Sequence, residues 1–355
     1  MRHLIDIQDL SLTEIDDLIL TAESIMADPA AYARKCEGKK LATLFYEPST
    51  RTRLSFEAAM YELGGHVLGF ADAKSSSVSK GESLQDTAKI VSFYADLMAI
   101  RHPRDGAALA AAMKSDVPVI NAGDGEHDHP TQTLTDLLTI HREMGHLGNL
   151  TVGVCGDLKY GRTVHSLLAA LSRYPDMNFV LIAPDELQVP GYVLEMMEKR
   201  NQPFRMEADL EKALPDLDIL YMTRIQRERF PDEATYERLK DSYNLTRPMM
   251  DLCREHMAVM HPLPRVTEID PQVDDDPRAA YFRQACNGKY IRMALILKLL
   301  EQKSFPFQLL PPDCVPLAGR HCPNPRCITR SESNLALYVS SSQNGSRCIF
   351  CDTKI

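Results

Sequence analysis

Phe45-Tyr46-Glu47-Pro48-Ser49-Thr50-Arg51-Thr52-Arg53 is the stretch on which the fold turns. An apolar run from Lys40 to Tyr46 precedes it and reads as a buried strand. Leu54-Ser55-Phe56-Glu57-Ala58-Ala59-Met60 follows and reads as an amphipathic helix that Gly64-Gly65 ends. A strand therefore turns at Pro48 into a helix that opens on Ser, Thr, Arg and Thr. Free backbone N–H groups, hydroxyls and a guanidinium converge there, which suits an anion such as phosphate. The alternative is an ordinary helix cap, with Ser49 capping and the arginines solvated. The chain carries no G-x-x-x-x-G-K-[ST] loop, so a nucleoside triphosphate is not the expected anion.

Working outward, residues 9–26 have helical apolar spacing with Ser11 as a cap, and His66 to Ala71 reads as a second strand. Residues 72–83 are polar and Ser-rich: either loop filler or a lid whose Lys80 and hydroxyls close on an anion. Ser83 to Tyr94 is helical. Leu97 to Ile100 is a short strand ending in Arg101-His102-Pro103, and Arg101 is either a ligand at a strand end or a side chain reaching to solvent. Val117 to Ala122 is a fourth strand. After a Gly-Asp-Gly turn, His129-Pro130-Thr131-Gln132 opens a helix over Thr133 to Glu143, a placement that favours a site role for His129 over a structural one.

The pattern breaks at Gly145–Asn149, where a domain boundary is expected. Leu150 to Cys155, Phe179 to Ala183, Asp218 to Met222 and Met257 to Met260 read as strands, and Val164–Leu171, Glu186–Arg200, Glu207–Leu214 and part of Phe230–Leu245 as helical. Gly156-Asp157-Leu158-Lys159-Tyr160-Gly161-Arg162-Thr163 lacks G-x-G-x-x-G, so NAD is rejected. Thr223-Arg224-Ile225-Gln226 places another arginine at a strand end, and His261-Pro262-Leu263-Pro264-Arg265 is a rigid turn. Gln284 to Gln302 is a long apolar-striped helix. Strands alternating with helices predict two doubly wound parallel-sheet α/β domains, with Arg51, Arg101, His129, Arg162 and Arg224 gathered in an inter-domain cleft that binds two anions. The expected boundaries are residues 1–146 (with helix 284–305 packing back), 147–283, a linker at 306–318, and a tail at 319–355.

The 355 residues suit two domains and a small module, and a net charge of -9 argues against a nucleic-acid partner. With no run of 18 apolar residues and no signal-like start, a soluble cytoplasmic protein without a membrane partner is expected.

The stretch at 45–53, His129-Pro130-Thr131-Gln132 and His261-Pro262-Leu263-Pro264 resemble the three signature stretches of the transcarbamoylases, most closely the aspartate carbamoyltransferases, in order over roughly residues 1–305. Ornithine enzymes carry Cys where this chain has Pro262, and Met222–Gln226 is similar to an aspartate-binding loop. The resemblance implies carbamoyl transfer from carbamoyl phosphate to L-aspartate, an early step of pyrimidine synthesis, with no cofactor needed for the chemistry. It implies that Ser49, Thr50, Arg51, Thr52 and Arg101 bind the phosphate. Ser76 and Lys80 match lid residues given by a neighbouring subunit of a homotrimer, or of a dimer of trimers with shared active sites. His129, with Thr52 and Arg101, would polarise the carbamoyl oxygen, and Gln132 with the Pro262–Leu263 backbone would hold the amide. Arg162, Arg224 and Gln226, with Lys80, would hold aspartate. Ser79 stands where many relatives have a second Lys, and residues 230–234 depart from the family pattern.

Past Gln302 the composition changes. Phe305-Pro306-Phe307 and Pro311-Pro312 read as an extended linker. Cys322 and Cys327, then Cys348 and Cys351, form two close pairs separated by twenty residues. Such spacing predicts a structural Zn2+ held by four cysteines; two disulfides or free thiols are the alternative. Leu335 to Val339 should be a strand between them. So short a segment would draw much of its folding energy from the metal. The tail resembles the zinc domain of the regulatory chain of aspartate carbamoyltransferase, without that chain's nucleotide-binding domain, so insensitivity to CTP and docking on a neighbouring catalytic subunit are expected. Two rival readings are a transcarbamoylase for another amine and an inert scaffold that recruits partners through the tail.

Overall fold

A computed structural model describes residues 2–73, 80–125, 127–225, 233–302, 308–317, 319–342 and 345–355. Ser76 and Gln226, and the linker stretch at 305–307, lie outside them. The chain forms two compact units, Met1–Thr131 with Lys289–Ile355, and Gln132–Gly288.

The first unit opens with helix α1 (Leu12–Ala27), held at its start by a capping box in which the Ser11 and Glu14 side chains satisfy each other's backbone N–H. Its sheet is built from β1 (Lys40–Phe45), β2 (His66–Phe70), β3 (Leu97–His102) and β4 (Val119–Asp124). All pair in parallel, in the order β2-β1-β3-β4. Helix α2 (Thr50–Glu62) follows β1, α3 (Leu84–Val91) follows β2, and α4 (Ala107–Ala112) follows β3. The strand order reverses between β1 and β3, and the open carboxyl ends at such a reversal are where α/β sheets take their ligands.

The second unit takes up α5 (Pro130–Met144) after its first two residues and continues through β5 (Thr151–Cys155), α6 (Arg162–Leu171), β6 (Asn178–Ile182), α7 (Gly191–Lys199), β7 (Phe204–Glu207), α8 (Leu210–Ala213), β8 (Ile219–Met222), α9 (Glu233–Leu239) and β9 (Ala258–Met260). Its parallel sheet runs β7-β6-β5-β8-β9, so the order reverses between β5 and β8. Helix α10 (Tyr281–Glu301) begins in this unit and returns the chain to the first. Both sheets thus have the expected doubly wound parallel form. No described helix is long and apolar enough to cross a membrane.

The tail forms a small antiparallel sheet of β10 (Val315–Leu317), β11 (Leu337–Ser342) and β12 (Gly345–Cys348). It shares one apolar core with the rest of the first unit: Cys322, Cys327, Ile328, Leu337, Val339 and Phe350 pack with Leu84, Ala88 and the alanines of α4. Within this chain the tail packs against α3 and α4. Backbone bonds fix it there, from Asp105 N to the Arg326 carbonyl (3.1 Å) and from Ile328 N to the Asp105 carbonyl (2.9 Å). Gly106, at φ +80°, lies so close to Phe350 that a Cβ would sit 2.3 Å from its carbonyl oxygen.

Candidate active site

At the end of β1 the chain leaves Tyr46, whose N–H donates to the Arg101 carbonyl at 2.8 Å. Ser49 occupies the N-cap of α2, but its hydroxyl makes no capping bond. The ordinary-cap alternative therefore does not describe Ser49: its hydroxyl takes none of the first-turn N–H groups of α2. Arg51 is exposed, and Ser49, Thr52 and Arg53 are half-buried.

Arg101 stands directly beside Phe45 in the β1–β3 register. Its side chain is only 14% exposed, and Nη2 sits 2.7 Å from Glu47 Oε1. Its Nε has no hydrogen-bond partner among the described residues. Burial pulls the guanidinium below its ordinary range; Glu47 opposes that and the charge of Arg51 adds to it. Two guanidinium groups close enough to repel, one short of partners, form a site that gains from an added anion.

Buried His129 stands at the head of α5; its backbone N–H donates to Asp128 Oδ1 at 2.7 Å and its Nδ1 lies 3.3 Å from Thr131 Oγ1. Gly123, at φ +116°, is the last but one residue of β4 and lies between this ring and Arg101. A Cβ on it would lie 2.8 Å from Arg101 Nη1 and 3.3 Å from His129 Cδ2. Only glycine lets both groups approach the same point. Lys80 is exposed and sits just before α3.

In the second unit, the carboxyl ends of β5 and β8 are bound together. Thr223 N and Oγ1 both donate to the Cys155 carbonyl (2.8 and 3.0 Å), and Asp157 N donates to Thr223 Oγ1 (3.2 Å). Arg162 opens α6 after β5, and Arg224 follows β8; both are half-buried. Two arginines thus flank the switch point of this sheet, as Ser49–Thr52 and Arg101 flank that of the other. Gln132 Nε2 donates to Asp136 Oδ1 at 2.8 Å. Pro262 and Leu263 are half-buried, and Leu263 takes a left-handed φ of +52°. Its N–H donates to His261 Nδ1 at 2.7 Å. His261 Nε2–H then faces Glu268 Oε1 at 2.8 Å. Burial pushes the Glu268 carboxyl up, but His261 and the backbone N–H of Val266 together hold it below the usual range.

In the tail, the sulfurs of Cys322, Cys327, Cys348 and Cys351 all lie within 4.8 Å of one another. Cys322 and Cys351 are 3.5 Å apart, Cys327 and Cys348 3.8 Å, and none is in a disulfide. A tetrahedron with metal–sulfur bonds of about 2.3 Å has edges of roughly 3.8 Å. Thr329 Oγ1 donates to Cys327 Sγ at 3.3 Å, the kind of outer bond that steadies a thiolate ligand. The donor set fits a metal ion.

Residues 2–142 match the profile described as aspartate/ornithine carbamoyltransferase, carbamoyl-P binding domain, and residues 148–299 match that of the Asp/Orn binding domain. The chain belongs to the aspartate/ornithine carbamoyltransferase family. Within it, this chain sides with the aspartate enzymes. It is 60% identical over 299 residues to the aspartate carbamoyltransferase catalytic subunit of Clostridium novyi, covering 84% of this chain and 98% of that one. The catalytic subunit of M. jannaschii aspartate transcarbamoylase superposes with a TM-score of 0.81 at 47% identity, over 86% of this chain and all of that one. Aspartate transcarbamoylase from Trypanosoma cruzi, in complex with N-(phosphonacetyl)-L-aspartic acid, does so with 0.79 at 39% identity, over 84% of this chain and 95% of that one.

Proposed function

We propose that this chain transfers the carbamoyl group of carbamoyl phosphate to the amine of L-aspartate, with the roles that follow. The observation that carries the reading is the pair of switch points, each provided with arginines, in a chain of this family. The α2 turn with Ser49, Thr50, Arg51 and Thr52, together with Arg101, binds the phosphate. The aspartate amine attacks the carbonyl carbon, negative charge grows on the carbamoyl oxygen, and the bond to phosphate breaks. Thr52, Arg101 and His129 stabilise that oxygen, and Arg51 and Arg101 stabilise the leaving phosphate. No covalent enzyme intermediate is needed. Gln132 and the Pro262–Leu263 backbone hold the carbamoyl amide, and Arg162, Arg224 and Gln226 hold the aspartate carboxylates. The regions matched to the two profiles act as the carbamoyl phosphate and aspartate domains.

Ser76 and Lys80 act in a neighbouring subunit of a cytoplasmic trimer-based assembly. The tail binds a structural Zn2+ through Cys322, Cys327, Cys348 and Cys351, in the manner of a regulatory-chain zinc domain. The sulfur spacing and the absence of disulfides among these four support zinc. Product formation from carbamoyl phosphate with aspartate, and with ornithine in its place, tests the activity. Carbamoyl-aspartate and no carbamoyl-ornithine is the expected result; ornithine carbamoylation at a comparable rate overturns it.

A further inference from the structure

Asp136 lies wholly buried in the second unit. Its Oδ1 accepts from Gln132 Nε2 at 2.8 Å and Gln284 Nε2 at 2.6 Å, and its Oδ2 accepts from the Tyr221 hydroxyl at 2.9 Å. Gln284, also buried, turns its Oε1 to the backbone N–H of His261 at 2.9 Å. A backbone N–H can only donate, so Gln284 Oε1 must face it and Gln284 Nε2 must face the carboxylate. Gln132 likewise presents Nε2 to Oδ1, which leaves its Oε1 turned away from Asp136 as the acceptor end of the amide.

We infer that Asp136 is a positioning residue: one buried carboxylate sets the amide of Gln132 acceptor-outward and, through Gln284, anchors the His261–Leu263 turn. This rests on the proposed roles of Gln132 and the Pro262–Leu263 backbone in holding a carbamoyl amide. That amide offers two N–H donors, so it needs acceptors. Asp136 supplies their orientation without touching the ligand. The connection runs from α5 to the turn after β9 by way of α10, and Tyr221 ties it to β8, the strand that leads to Arg224.

Acetyl phosphate has the same phosphate and carbonyl as carbamoyl phosphate but a methyl in place of the NH2 group. The full-length protein without aspartate should bind carbamoyl phosphate more tightly, by about tenfold per acceptor used. Asp136→Ala should collapse that preference by about tenfold while leaving affinity for inorganic phosphate unchanged. Asp136→Asn should keep it, because Asn Oδ1 still accepts from both glutamines and the Tyr221 hydroxyl can accept from its Nδ2. If Asp136→Ala does not fold, Asp136→Leu keeps the volume and takes its place. A folded Ala or Leu variant with the unaltered preference overturns the inference and leaves the reading of Gln132 intact. An unaltered protein that binds both acyl phosphates equally overturns the role of Gln132 itself.

Discussion

The guanidinium of Arg101 is paired with the carboxylate of Glu47, at 2.7 Å, inside the turn that is to hold phosphate. The pair neutralises part of the positive charge, so an incoming phosphate must compete with Glu47. Glu47→Gln should strengthen binding of inorganic phosphate by a few-fold, read by calorimetric titration. Arg101→Gln should lower kcat by about 10² to 10³, the cost typical of one lost oxyanion donor. Unchanged turnover in Arg101→Gln would remove Arg101 from the chemistry.

Gly123 separates Arg101 from His129. Gly123→Ala meets Arg101 Nη1 at 2.8 Å and adds a Cβ at φ +116°. Strain of this kind costs about 1–3 kcal/mol. The variant should melt lower and bind phosphate more weakly, because Arg101 must shift. A variant with wild-type phosphate affinity would show that Arg101 does not need this approach.

Removal of the proposed Zn2+ should loosen the rest of the first unit as well as the tail. The Glu332 carboxylate of the tail accepts from Leu84 N at the start of α3 (3.0 Å), a few residues after Lys80. Chelation should raise hydrogen exchange in α3 and α4, and Phe350→Ala should cost about 3–5 kcal/mol. Exchange that stays unchanged outside the tail after metal loss would contradict this coupling.

Lys80 is assigned to a neighbouring subunit's site. Mixing Lys80→Ala with His129→Ala chains, each inactive alone, should restore a fraction of activity through sites that carry neither change. No recovery after dissociation and reassembly would place Lys80 in its own chain's site.

Burial, with the N-terminal charge, lowers His3 from 6.5 to about 4. Between those values the unfolded chain binds a proton that the folded chain refuses. The stability that His3 contributes is complete above about pH 6.5 and is lost as pH falls towards 4. Half-buried Asp9 is shifted upward by desolvation and pulls the other way, so the comparison with His3→Asn isolates the effect. On going from pH 7 to pH 5, the wild-type urea midpoint should fall more than that of the variant. Parallel changes would remove His3 as the cause.

Much of this site is legible along the chain, because strand-end residues are contiguous with the strands that aim them. The turn at Pro48, Arg101 at the end of β3 and the cysteine pairs all announce themselves locally. Helix α4 does not: Ala-Ala-Leu-Ala-Ala-Ala is buried on every face, so it has no polar face to give a period. Strand β7 is an edge strand with exposed Arg205 and Met206, and it lacks a continuous apolar run. Asp136 is hidden for another reason. Its partners Tyr221 and Gln284 lie 85 and 148 residues away, and only the fold brings them together. The single local hint is the spacing of Gln132 and Asp136, four apart on one helix face.

The central claim is that the phosphate residues of the first unit and the carboxylate residues of the second act on one reaction. N-(phosphonacetyl)-L-aspartate, which joins a phosphonate to an aspartate, tests it most directly by calorimetric titration. One molecule per chain should bind, with affinity reduced at least tenfold by Arg101→Gln and, separately, by Arg162→Gln or Arg224→Gln. Binding that responds to the first-unit change alone, or no binding at all, would contradict the account.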